Sequence, residues 1–172
     1  MSPQNHAPLY LDDLSVGQRF TSAEHAIDEA QIFEFARRFD PQPFHLDAES
    51  ARESLFGGLA ASGWHTAALT MRLIVGERAP FAGGVIGAGA EVAWPGPTRP
   101  GDVLRVVSEV LEITPSRSKP DRGIVTLRSE TLNQHGEVRQ RMTSKLVVPR
   151  RQPQAAADMP NPAAASRPAG AR

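Results

Sequence analysis

Between residues 85 and 148 the chain contains only extended segments, and just one earlier stretch is apolar on more than one face, so an antiparallel sheet is expected to lie against that one central helix. The segments 85–94, 103–113, 124–132 and 138–148 are rich in Val, Leu, Ile and Thr. Pro-Gly, Pro-Ser and His135-Gly136 breaks separate them, the pattern of consecutive antiparallel strands. Residues 64–75 carry Ala67, Ala68, Leu69, Met71, Leu73, Ile74 and Val75, as expected of a central helix largely enclosed by other structure. One buried helix wrapped by an antiparallel sheet is an α+β architecture. At 172 residues the chain is long enough for one domain with a substantial core and too short for two ordinary ones.

Upstream, residues 19–27 read as a strand, after which Asp28 is placed to cap a helix with Gln31 in the capping-box position. Ile32, Phe35, Ala36 and Phe39 recur at helical spacing and are expected to face the core. Pro41 and Pro43 each disfavour helical geometry in the residue before them, so the helix is expected to give way at Asp40 to an extended loop. Asp47 can cap a second short helix through about Ser54, which Gly57 and Gly58 then break. These signals divide the chain into an N-terminal extension over 1–11, a domain over 12–148 and a Pro/Ala/Arg-rich tail over 149–172. The tail has too few large apolar residues to offset its ordering entropy and is expected to be disordered.

Composition removes several function classes. Basic and acidic residues balance at 19 each, so no global field attracts nucleic acid or an anionic membrane surface. The absence of cysteine excludes disulfides, thiolate metal sites and a cysteine nucleophile, and fits a cytoplasmic location. The N-terminus lacks the unbroken apolar run of a signal peptide, and the longest apolar tract, 67–75, is interrupted by Thr70 and Arg72 and falls far short of bilayer length. His6, His25, His45, His65 and His135 are scattered without zinc-type spacing, so no metal is expected.

The chemistry-bearing stretch is Asp40-Pro41-Gln42-Pro43-Phe44-His45-Leu46-Asp47, followed by Gly57-Gly58-Leu59-Ala60-Ala61-Ser62-Gly63. It sets a carboxylate and an imidazole five residues apart in a proline-stiffened segment, ahead of a glycine-rich turn that leads into the apolar helix. An unperturbed imidazole changes charge near working pH, which makes His45 the obvious acid–base candidate, and Asp40 could hydrogen-bond the same water. Taken singly, Asp40 reads as an Asp-Pro turn former and His45 as a satisfied, half-buried imidazole. Gln42 can donate and accept hydrogen bonds, and so could orient that water or the Asp40 carboxylate; a solvent-facing amide is its plain alternative. Gly63 falls at the start of the helix, where free backbone N–H groups and the helix dipole favour negative charge, making its amide the candidate oxyanion donor. Ser62 is placed to cap the helix, and no Gly-x-Ser-x-Gly elbow marks it as a nucleophile.

The spacing resembles the D-x-N-P-x-H signature of the MaoC-like acyl dehydratases, a hot-dog-fold family that includes the (R)-specific enoyl-CoA hydratases. The likeness extends through Leu46-Asp47, the 58–63 segment and Pro100-Gly101-Asp102. Two positions depart from the pattern: Gln42 stands where the family usually has Asn, and Ser62 where many members have His. The resemblance implies a single hot-dog domain in which Asp40 and His45 form the catalytic pair and Gln42 takes the orienting place. It implies reversible hydration of a 2-enoyl thioester to a 3-hydroxyacyl thioester with (R) stereochemistry, in fatty acid metabolism. CoA or an acyl-carrier protein would be the acyl carrier, with no further cofactor, and the chain would form a homodimer or larger homo-oligomer. Two other readings stand beside it. A hot-dog thioesterase would need a carboxylate on the central helix, and none occurs over 62–75. A non-catalytic acyl-thioester-binding partner subunit would account for Gln42 as a decayed motif position.

Overall fold

The computed structural model describes residues 7–76 and 81–151. Its elements run β1 (Arg19–Thr21), β2 (His25–Ala26), α1 (Glu29–Phe39), α2 (Pro43–Leu46), α3 (Ala48–Glu53), α4 (Gly63–Val75), β3 (Ile86–Ala93), β4 (Val103–Pro115), β5 (Arg122–Leu132) and β6 (Val138–Pro149). The strands form one antiparallel sheet in the order β1-β4-β5-β6-β3, with β2 also on β4. This is the expected α+β hot-dog arrangement, a sheet curled around α4.

Alternation along β4, β5 and β6 defines the sheet's two faces. Leu104, Val106, Ser108 and Val110, then Val125, Leu127, Ser129 and Thr131, then Gln140, Met142, Ser144, Leu146 and Val148 all point inward and are buried. Outward positions carry ion pairs such as Arg128–Glu109 and Arg141–Glu130. Apolar side chains gather in two clusters. One holds Leu11, Leu14 and Phe81 against Val110, Val125 and Leu146; the other holds Ile27, Ile32, Leu59 and Leu69 against Leu104. Hydroxyls dock α4 to the sheet. Thr70 donates to the Thr66 carbonyl at 2.8 Å, which uses its one hydrogen, so Thr131, 2.6 Å away, must donate to Thr70.

The expected strand over 19–27 is split. Ser22 accepts the Val106 N–H on its hydroxyl at 2.8 Å, inserting a side chain into the ladder. Thr21 pairs with Val107 and His25 with Leu104, so four steps on one strand oppose three on the other. In α1, Asp28 accepts the Gln31 N–H at 2.8 Å, but the Gln31 side chain bonds the His25 ring at 2.7 Å instead of closing a capping box. Burying a side chain of the size of Ile32 is worth about 1.5–3 kcal/mol. The exposed Glu34–Arg38 pair is worth only a few tenths, so the apolar stripe, not the ion pair, seats α1. Phe39, expected in the core, is exposed, because the last turn of α1 runs past what covers the stripe; it lies against Phe35 instead.

Two further expectations change. Residues 43–46 are not part of an extended loop: Pro43 occupies the first position of a helical turn, where its missing N–H costs nothing. Only one face of α4 is enclosed, since the sheet curls around one side and leaves Trp64, Met71 and Val75 exposed. The folded unit also reaches past both expected boundaries. Leu9 bridges Phe81, Leu11 is buried in the core, and Arg150 and Arg151 bond Asp12 and Asp13. The rest of the expected tail, 152–172, lies outside the described residues.

Gly123 is where the N-terminal segment crosses the sheet. A Cβ there would sit 2.6 Å from Leu11 Cδ2 and 2.8 Å from the Thr114 carbonyl oxygen. The carbonyl belongs to a paired strand and cannot yield, so Gly123→Ala is expected to destabilise the fold by about 1–3 kcal/mol, measured as a lower denaturation midpoint with an unchanged slope.

Candidate active site

Two prolines build the site's backbone. Asp40 leaves helical geometry as the C-cap of α1, its N–H still bonded to the Ala36 carbonyl at 2.9 Å. Pro43 holds Gln42 extended and then starts α2, which carries His45 back towards Asp40. Asp47 ends α2 and caps α3 by accepting the Ser50 N–H at 2.7 Å. The glycine segment then leads to Ala60, Ala61 and Ser62 and into α4.

The structure brings Asp40, Gln42 and His45 together. His45 is buried, with Nδ1 at 2.7 Å from the Ala60 carbonyl oxygen. A carbonyl can only accept, so Nδ1 carries the hydrogen and the neutral ring presents a lone pair at Nε2. That nitrogen lies 3.5 Å from Asp40 Oδ2. The Gln42 amide donates to Asp40 Oδ1 at 2.7 Å. Burial pushes the Asp40 carboxyl up, but hydrogen bonding by Ser62 and Gln42, with the His45 ring nearby, outweighs it and holds the group below its ordinary value. A carboxylate oxygen and an imidazole lone pair therefore face the same point. A single water has two hydrogens, and could donate one to each.

Gly63 is the first residue of α4, and Ser62 caps the helix by accepting the Trp64 N–H at 3.1 Å. A Cβ on Gly63 would sit 2.8 Å from Trp94 Cε2, so only glycine lets the ring close over this helix start. Trp94 is itself fixed by donating its indole N–H to Gln140 Oε1 at 2.8 Å. His45, Phe56, Gly63, Thr66, Trp94 and Arg99 line a cavity of about 570 Å³. His45 and the start of α4 thus share one space.

Sequence reasoning missed two contributors. Ser62 acts on the Asp40 carboxylate as well as capping α4, and Trp94 walls Gly63; neither has a local motif, because both contacts are made across the fold. His65 stays apart. It stacks on Phe35 at 4.5 Å between ring centroids, and burial, with the nearby charge of His25, pushes it down to about 4. Among the described residues no three His, Asp or Glu side chains are grouped to hold a metal ion.

Comparison with known proteins matches residues 14–132 to the family model of the MaoC like domain. The chain is similar to the MaoC-like dehydratase from Rhodospirillum rubrum, with 66% identity, 83% of this chain and 98% of that one covered, and a TM-score of 0.82. It is similar to the R-hydratase PhaJ1 from Pseudomonas aeruginosa in its unliganded form, with 28% identity, 84% and 88% covered, and a TM-score of 0.68. A third relative is the 3-hydroxybutyryl-CoA dehydratase of Methylorubrum extorquens, 32% identical over 112 residues, which are 64% of this chain and 69% of that one.

Gln42→Leu keeps bulk and removes the donor to Asp40. The carboxyl should then titrate at a higher pH than in the unaltered chain, read from its side-chain carbon resonance. The sign follows from linkage: a folded-state pKa held below its unfolded value adds stability that is lost as pH falls through it. The variant should therefore lose part of that stability, and lose it at higher pH. Gln42→Asn, which keeps an amide, should move the titration less.

Proposed function

The chain belongs to the MaoC-like dehydratase family, and we propose that it is a hydro-lyase acting on acyl thioesters, adding water reversibly to a 2-enoyl thioester to give the (R)-3-hydroxyacyl thioester. The observation that carries the reading is the convergence of the Asp40 carboxylate and His45 Nε2, 3.5 Å apart, beside the cavity that Gly63 also lines. Water bound by the pair attacks the β-carbon and gives one proton to the pair. The electrons of the double bond move onto the thioester oxygen, where the Gly63 amide at the helix start stabilises the enolate. A proton returned from the pair to the α-carbon restores both residues, so the net change is addition of one water. Gln42 and Ser62 favour the charged form of Asp40 in the resting site, and the acid–base groups require no further cofactor.

A carboxylate on α4, which would aim water at the carbonyl for thioester cleavage, is absent over 63–75. The (R) outcome is supported by the likeness to an R-hydratase, and a CoA thioester by the likeness to a CoA dehydratase. Fatty acid metabolism is the proposed setting, supported by the family resemblance. The cytoplasm, as the site of action, fits a cysteine-free chain, in whose described residues no helix is long and apolar enough to cross a membrane. A homodimer is the proposed assembly. Trp64, Met71 and Val75 on α4 and Ile86 on the edge strand β3 are exposed apolar side chains that a second copy could cover. Light scattering should give a two-chain particle; a one-chain mass at working concentration removes the dimer.

The test of function is turnover of 2-enoyl-CoA substrates of graded chain length, with products resolved by chirality. Hydration to the (R)-alcohol is expected; release of free CoA identifies a thioesterase, and binding without turnover a non-catalytic subunit. Asp40→Ala and His45→Ala should each lower kcat by at least about a hundredfold. The double variant should lose little more than either single one, because both side chains act on one water.

A further inference from the structure

The Pro100-Gly101-Asp102 turn lies outside the catalytic pair, yet its residues are heavily engaged. Gly101 occupies the left-handed region at φ +85° and its N–H bonds the Ile27 carbonyl at 2.8 Å. Asp102 is buried. It accepts the Arg99 N–H and Arg139 Nε, each at 2.9 Å, and Asn133 Nδ2 at 3.2 Å. A buried carboxylate with this many donors has one stable position, so the backbone of Arg99 is fixed with it.

The Arg99 side chain then turns to main chain, not to a carboxylate. Nη1 donates to the carbonyls of Gly58 at 2.6 Å and Leu59 at 3.0 Å, and Nη2 donates to the Phe56 carbonyl. The preceding residue, Thr98, accepts the Ala61 N–H at 2.9 Å through its carbonyl and bonds Thr66 on α4 at 2.9 Å. Residues 98 and 99 therefore pin the segment 56–61 on both sides of Ala60. Ala60 supplies the carbonyl that holds His45 Nδ1–H.

We propose that Arg99 is a positioning residue whose guanidinium, anchored by the Pro100-Gly101-Asp102 turn, holds the backbone of 56–60 so that the Ala60 carbonyl fixes His45 in its Nδ1–H tautomer with Nε2 towards Asp40. Three carbonyls spread over residues 56–59 need a planar fork of donors, which arginine has and lysine lacks. Gly57, at φ +62°, provides the turn that aims these carbonyls at one point. The kinetic part rests on the hydratase reading; the tautomer part does not.

The test uses full-length chain labelled with 15N-histidine, at a pH about two units above the ordinary histidine value of about 6.5. Unaltered protein should show His45 protonated at Nδ1 alone. Arg99→Gln and Arg99→Lys should both show a mixture of tautomers, with kcat for enoyl-CoA hydration down about a hundredfold, as for a misplaced acid–base group, and KM little changed. The proposal is overturned if either variant keeps the unaltered Nδ1–H signal. It is overturned equally if Arg99→Lys restores turnover or if the loss falls wholly in KM, since either means that Arg99 serves by its charge on the substrate. Should both variants fail to fold, the unaltered chain still decides. Its Arg99 Nη–H resonances must be resolved and slow to exchange, and a freely rotating guanidinium refutes the clamp. Absence of hydration by the unaltered protein would count against the hydratase reading alone, because the tautomer is read without substrate.

Discussion

The hydrogen bond on which the site depends is the one from His45 Nδ1 to the Ala60 carbonyl, 2.7 Å long and buried. Imidazole has two nitrogens and, when neutral, one hydrogen, so the ring's chemical direction is chosen by whichever nitrogen meets an acceptor. Had Nδ1 faced a donor, Nε2 would carry the hydrogen and the lone pair would point away from Asp40. Main chain is a better acceptor for this purpose than a side chain, because it does not rotate or titrate. The same bond also ties α2 to the segment that enters α4, and so joins the elements that carry the acid–base pair and the candidate oxyanion donor.

Glycine and tryptophan share the second constraint. At Gly63 the Trp94 ring stands where a Cβ would go, at 2.8 Å, so the helix start reaches the cavity uncovered by a side chain of its own. Trp94 is held from β6 through Gln140, and α4 is held to β5 through Thr70 and Thr131. Hydroxyl pairs at the helix–sheet contact have a consequence that apolar packing lacks. They set register along the helix to within a hydrogen-bond length, where methyl groups would tolerate sliding. An amide that must meet a developing charge needs that precision more than it needs extra burial.

Much of this was legible from sequence where the signal was local. β3 to β6 and α4 fell within a few residues of their expected limits, because β-branched runs and an apolar helix are strong patterns and the breaks between them are Pro or Gly. Asp28 and Asp47 each cap a helix, although Gln31 does not close the capping box that its spacing from Asp28 indicated. The split at Ser22 was not legible, since the hydroxyl that interrupts the strand does so by bonding Val106, 84 residues away. Nor was the exposure of Phe39, which obeys the helical period of Ile32 and Ala36 but lies beyond what covers them. The α2 turn was hidden by its own proline: Pro43 argues equally for an extended Gln42 and for a helix beginning at Pro43, and both are present. Asp40, Gln42 and His45 could be named together because one short segment carries them. Ser62, Trp94 and Arg99 could not, because each meets the site through space.

Gln42 shows how a departure from a motif can preserve its physical task. Gln42 is extended ahead of Pro43, and its longer amide still reaches Asp40 at 2.7 Å. What the site requires at this position is a donor that does not titrate and that favours the charged carboxylate against the burial that opposes it. Asparagine and glutamine both satisfy that requirement if the backbone sets the distance. Ser62, at the start of α4, also favours the charged carboxylate. The Gln42 amide takes Oδ1 of Asp40, and Oδ2 is left towards His45 Nε2 at 3.5 Å. A pair arranged in this way can pass a proton back and forth without moving either residue, because the donors that fix Asp40 and the carbonyl that fixes His45 are the same in both protonation states.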